Sequence, residues 1–146
     1  MAALTGLQSF FWQFLDRRDR ILVKLGSFRP PSSPGEGLFV VNKSKHLVEL
    51  HDYGFVLSNG GFFSLPNYFE NEGCQDQVNA TFAGSSALEP RERFEVYVDL
   101  TNIKIVGAYA RTTTQNRDTV CIGEHLNFFY AWWCRVRVWW HSLFRH

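Results

Sequence analysis

Two residues seventy positions apart, His51 and Cys121, are those whose types and settings could do chemistry together. Only a thiolate is a competent nucleophile, and an ordinary cysteine is mostly protonated at neutral pH. A helix N-terminus and a neighbouring imidazole together lower that pKa by several units. His51 opens an apolar, strand-like run, so a sheet could aim it rigidly. Cys121 stands just before an aromatic, helix-like segment, where the helix dipole would act on the sulfur. Ser64, beyond the next turn, carries a hydroxyl that could orient the imidazole, more weakly than a second histidine would. On residue types alone a structural cysteine is the simpler reading, because five histidines and three cysteines allow several such pairs.

The elements that would position these groups can be read from periodicity. Residues 34–68 read as strand, turn, strand, tight turn, strand, with Ser58-Asn59-Gly60-Gly61 as the tight turn. Residues 5–25 have helical spacing: Leu7, Phe11, Phe14, Leu15, Leu22 and Leu25 share a face, and Asp16, Arg17, Asp19 and Arg20 oppose it. Gly26 is the stop, and the Pro/Ser/Gly-rich 27–37 is a connector. Residues 70–93 read as a long polar loop and 94–100 as a half-buried strand alternating Phe94, Val96, Val98 and Leu100. Residues 102–106 continue that strand or start another, and 111–119 form a polar loop. A helix over about 124–144 follows, with Cys121 at its start. The expected fold is α+β over one domain, 1–146. It has an N-terminal helix (1–26), an antiparallel sheet of about four to six strands around the 34–68 region, and a long C-terminal helix with an aromatic, basic tail (119–146).

Composition narrows the classes. Hydrophobic residues make up 45% and charged residues 20% of 146, which fits a folded domain rather than a disordered chain. A net charge of +1 gives no global attraction to nucleic acid, so any such binding needs a local patch. Cys74, Cys121 and Cys134 show neither a CxxC motif nor metal-ligand spacing, so neither a metal nor another cofactor is expected. Three thiols without a disulfide pattern suit a reducing, cytoplasmic setting. The first residues lack the basic start of a secretory leader, and the charge-free run 126–134 is too short to span a bilayer.

The run PGEGLFVV, then His51-Asp52-Tyr53-Gly54-Phe55-Val56-Leu57, then Asn59-Gly60-Gly61-Phe62-Phe63-Ser64-Leu65, resembles the H-box region of the lecithin:retinol acyltransferase (LRAT)-like family. Cys121-Ile122-Gly123-Glu124-His125-Leu126, with Cys134-Arg135 after the aromatics, resembles the NC-box of the same family. These proteins are permuted members of the NlpC/P60 thiol-hydrolase superfamily. Among them the chain looks most like the small non-structural 2A proteins of kobuvirus- or parechovirus-like picornaviruses. The resemblance implies a permuted NlpC/P60 fold, with His51 as general base, Cys121 as acyl-accepting nucleophile and Ser64 in the orienting place. It further implies a viral protein supporting genome replication through host-factor or membrane contact, with weak or no catalysis. The alternatives are an active thiol acyltransferase or phospholipase A acting on membrane lipids, and an RNA-binding replication protein.

The tail carries its own signal. Trp132, Trp133, Arg135, Arg137, Trp139 and Trp140 combine indoles with guanidiniums. A helix lying in a membrane interface has this composition, with rings at headgroup depth and arginines at lipid phosphates. The same residues could stack on unpaired RNA bases, or pack against the sheet or a second copy of the chain. The expected partners are therefore a host protein or membrane lipid, with RNA and a homodimer as alternatives, at intracellular membranes or free in the cytoplasm.

Overall fold

The computed structural model of the chain describes residues 18–28, 35–66, 79–99, 104–115, 117–123 and 127–144. The expected N-terminal helix lies outside these residues as far as position 17, as does Cys74. Strand β1, Ile21–Phe28, occupies what helical spacing assigned to the last turn of that helix. It pairs antiparallel with β2, Gly35–Asn42, residue for residue from Ile21↔Asn42 to Phe28↔Gly35. The period-2 alternation of Ile21, Val23 and Leu25 governs here, because eight residues of ladder hydrogen bonds outweigh one leucine pair at helical spacing. The expected connector 27–37 accordingly overlaps the end of β1 and the start of β2.

Strand β3 (Val48–Leu57) turns into β4 (Phe62–Ser64) through the expected Ser58–Gly61 turn. Leu57 N–H donates to Gly61 O, and Asn59 Oδ1 accepts from Gly61 N–H. Gly60 sits at φ +79°, where a side chain would be strained. The region expected to be a long loop holds β5 (Asn79–Ala83) and the two-residue β6 (Ala87–Leu88). Strand β7 is Arg93–Asp99, with Phe94, Val96 and Val98 buried as their alternation implied. Strands β8 (Ile105–Thr112) and β9 (Thr119–Ile122) follow, and one helix, α1 (Phe128–Phe144), closes the described chain.

All pairings are antiparallel. One sheet has the order β1-β2-β7-β5; the other has β4-β3-β8-β9, with β6 pairing at the start of β3. The sheets share a core in which Leu38, Val40, Phe94 and Val96 of the first meet Leu50, Phe55, Ala108 and Ala110 of the second. The opposite face of the second sheet presents Val56, Val106, Tyr109 and Ile122 to Cys134 and Val138 of α1. The result is a three-layer arrangement, sheet on sheet on helix, within the α+β class. The middle sheet is covered on both faces, which is why β8 is almost continuously buried and lacks a polar side to its alternation. Gly54 of β3 has no room for a side chain: a Cβ there would sit 1.9 Å from the Phe63 carbonyl oxygen.

Candidate functional site

Strand β3 contains a bulge. Leu50 pairs with Thr112 and Asp52 with Arg111, so His51 is the extra residue between them. The bulge leaves the His51 side chain exposed and turns Asp52 inward, where it is 7% accessible. Ser64 Oγ donates to Asp52 Oδ1 at 2.7 Å, and the Tyr109 hydroxyl lies 3.2 and 3.3 Å from the two carboxylate oxygens. Ser64 thus serves the neighbouring carboxylate and does not orient the imidazole. Two hydroxyl donors around a buried carboxylate make a structural cluster that ties β3 to β4 and β8.

Cys121 is not at a helix start. It lies within β9, paired with Ala108 of β8, and its half-buried side chain packs on the core between the sheets. From there to His51 is two strand spacings across and three to four residues along, roughly 15 Å between backbones. The structure therefore separates the expected base and nucleophile. The reason is local: 119–122 alternates onto the edge of a sheet, and α1 begins only at Phe128. The Glu124-His125 part of the NC-box-like run lies outside the described residues. Cys134 is fully buried under α1; burial pushes its thiol pKa up, against the smaller opposing effects of the Tyr130 hydroxyl and Arg137.

A second polar cluster joins parts of the chain that sequence reasoning kept apart. His46 Nε2 is 2.8 Å from Asp19 Oδ1, Thr114 Oγ1 donates to Asp19 Oδ2, and Gln115 Nε2 donates to the Asp19 carbonyl at 2.7 Å. Burial would raise the Asp19 pKa, yet hydrogen bonds from Thr114, His46 and Thr112 outweigh it and hold the carboxyl below its ordinary value of 3.8. The cluster opens into a cleft of about 470 Å³ lined also by Leu47, Glu49 and Thr113. It binds the chain entering β1 to the β2–β3 and β8–β9 turns. Among the described residues no group of three or more His, Cys, Asp or Glu side chains could hold a metal ion.

The third feature is the outer side of α1. Cys134 and Val138, with Tyr130 and Ala131 partly buried, face the sheet. Phe128, Phe129, Trp132, Trp133, Val136, Trp139 and Trp140 face away, each between 41 and 78% exposed. At about 100° per residue these seven side chains fall within an arc of roughly 140°, with Arg135 on one border and Arg137 on the other. The helix is held in place by its narrow side and by the hairpin turn: the Tyr130 hydroxyl donates to the Ser58 carbonyl and Arg137 Nη1 to that of Asn59. The Arg137 guanidinium also lies 4.7 Å over the Trp133 ring. Tail residues Trp132, Trp133, Arg135, Arg137, Trp139 and Trp140 therefore share one exposed surface.

No family model, curated protein or solved structure matches the chain. Most of the exposed large hydrophobic side chains among the described residues lie on the outer face of α1. Among the described residues no helix is long and apolar enough to cross a membrane. Sequence reasoning found this surface, because aromatic and basic residues at helical spacing are visible locally. It missed Asp19 with His46, which are 27 positions apart, and Asp19 with Thr114, 95 apart. A cue for Asp52 existed only in its place beside His51, and nothing in the sequence announced the bulge.

Proposed function

We propose that the chain is a peripheral membrane-binding domain that lays the outer face of α1 into the headgroup region of a bilayer. The supporting observation is the unbroken exposed aromatic surface bordered by Arg135 and Arg137. Seven large apolar side chains in water are costly, and each that leaves water returns about 1.5–3 kcal/mol. Indoles and guanidiniums suit the mixed polarity of the interface, and no acidic residue lies in the first turn of α1 to oppose it. A well-folded pair of sheets beneath the helix supplies a rigid platform. The replication role of H-box/NC-box viral 2A-like proteins and their permuted NlpC/P60 fold belong to this reading only as the motif order supports them, and only through their membrane contacts. Thiol transfer is not part of it, because His51 and Cys121 are apart.

Co-sedimentation with phosphatidylcholine vesicles tests the proposal. Binding is expected, with a loss of about tenfold or more on Trp132→Ala. Equal recovery of wild type and Trp132→Ala with the vesicles, or no recovery of either, would end it. Binding of single-stranded RNA in preference to vesicles, lost on raising salt, would favour the nucleic-acid alternative instead.

A further inference from the structure

Beside the aromatic surface, where α1 crosses the edge of the middle sheet, is a small cavity of about 150 Å³ lined by Arg117, Asp118, Val120, Arg135, Val138 and Trp139. We propose that it receives the phosphodiester of a phospholipid headgroup, an inference that rests on the docking reading and names the lipid group held. Two guanidiniums reach it from different elements, Arg117 from the β8–β9 connection and Arg135 from α1. Both are exposed, and neither has a hydrogen-bond or ion-pair partner among the described residues. Arg135 and Trp139 belong also to the border of the membrane face, so a lipid whose chains lie under the indoles would present its phosphate here.

Size and charge select the ligand class. The cavity has room for a phosphate group and its ester oxygens. Asp118 forms part of the wall with its side chain 2% exposed, and its Oδ1 is 3.9 Å from Arg111 Nε. Arg111 approaches Asp118 only at the outer limit of an ion pair, and Arg117 and Arg135 are the cationic side chains that line the cavity. A buried carboxylate close behind that pair disfavours a doubly charged phosphomonoester relative to a singly charged phosphodiester. Val120 and Val138 supply an apolar floor that a free hydrated anion would not use but a glycerol ester would. Guanidiniums match phosphate oxygens in pairs, which makes arginine the fitting residue at both positions.

Arg117 separates this site from the aromatic surface, since it lies off the helix. Vesicles of pure phosphatidylcholine carry no net charge, so removing a cation should matter there only if that cation holds a phosphate. The expected result is that Arg117→Gln weakens binding to these vesicles about fivefold, with an unchanged melting temperature. Soluble glycerophosphocholine should shift the Trp139 indole N–H resonance of the wild-type chain and leave that of Arg117→Gln in place. Wild-type affinity in Arg117→Gln, alongside lost binding in Trp132→Ala, would overturn the headgroup site and spare the docking surface. An equal shift with inorganic phosphate would show a general anion site and overturn the phosphodiester assignment. Absence of vesicle binding by the wild-type chain would remove the docking surface and the headgroup assignment together.

Discussion

The β3–β4 hairpin and α1 both contain residues that look chemically active, and they use them in opposite ways. In the hairpin, Asp52 and Ser64 point inward and bond to each other and to Tyr109, while His51 is left outside on a bulge. In α1 the polar and aromatic groups point outward, and only a narrow stripe including Cys134 and Val138 is used for packing. The hairpin spends its functional-looking residues on holding three strands together. The helix leaves apolar area exposed that folding alone would have buried. A polar group in an interior must be paired, and its pairing consumes it; a large apolar face kept in water is the unusual choice and the better pointer to a partner.

The contrast can be broken by mutations that ought to act on one region only. Asp52→Ala leaves two buried hydroxyls without their carboxylate and is expected to lower unfolding free energy by about 3 kcal/mol in a denaturant titration. Vesicle affinity of the folded fraction should not change; if it fell with stability intact, the hairpin cluster would belong to the binding surface. Trp139→Ala should do the reverse, weakening vesicle binding by about tenfold while moving stability by no more than about 0.5 kcal/mol. A cooperative loss of fold in that variant would instead make the outer face part of the core of an assembly.

Two smaller effects sharpen the comparison. Asp19 has a folded-state pKa below its ordinary value, so its contribution is present above about pH 3.8 and lost as pH falls through the lowered folded value. Asp19→Asn should therefore cost about 1.5 kcal/mol at pH 7 and less in strong acid, seen as convergence of the wild-type and variant melting curves below that pH. Parallel curves at all pH values would mean that Asp19 is not held ionised by His46 and Thr114. His51→Ala, on an exposed bulge, should shift stability by at most about 0.5 kcal/mol and leave the alkylation rate of Cys121 unchanged. A slower Cys121 reaction in that variant would show that the imidazole reaches the sulfur in solution.

Much of the fold was legible where the signal is local. The Ser58–Gly61 turn, the Phe94-Val96-Val98 alternation and the terminal helix each depend on neighbours within a few residues. Strand β1 was not legible, because Leu22 and Leu25 fit a helix as readily as Ile21, Val23 and Leu25 fit a strand, and only pairing with β2 decides between them. Strand β9 was hidden for a related reason. Four residues at a sheet edge carry too little periodicity to announce themselves, and Cys121 joined the neighbouring helix by proximity alone. The candidate surface on α1 needed no such partner, since residues four apart on a helix share a face whatever lies beneath.

By itself the order of residues determined that this chain has a hairpin at 53–65, an alternating strand at 94–98 and a terminal helix loaded with tryptophan and arginine. Those traits follow from turn chemistry and side-chain period, which act over short stretches of backbone. Which side of that helix stays in water, which carboxylate is buried and whether His51 meets Cys121 were decided by tertiary structure alone. Each depends on a bulge, a sheet order or a packed layer that brings together residues tens of positions apart, and no local rule encodes those distances.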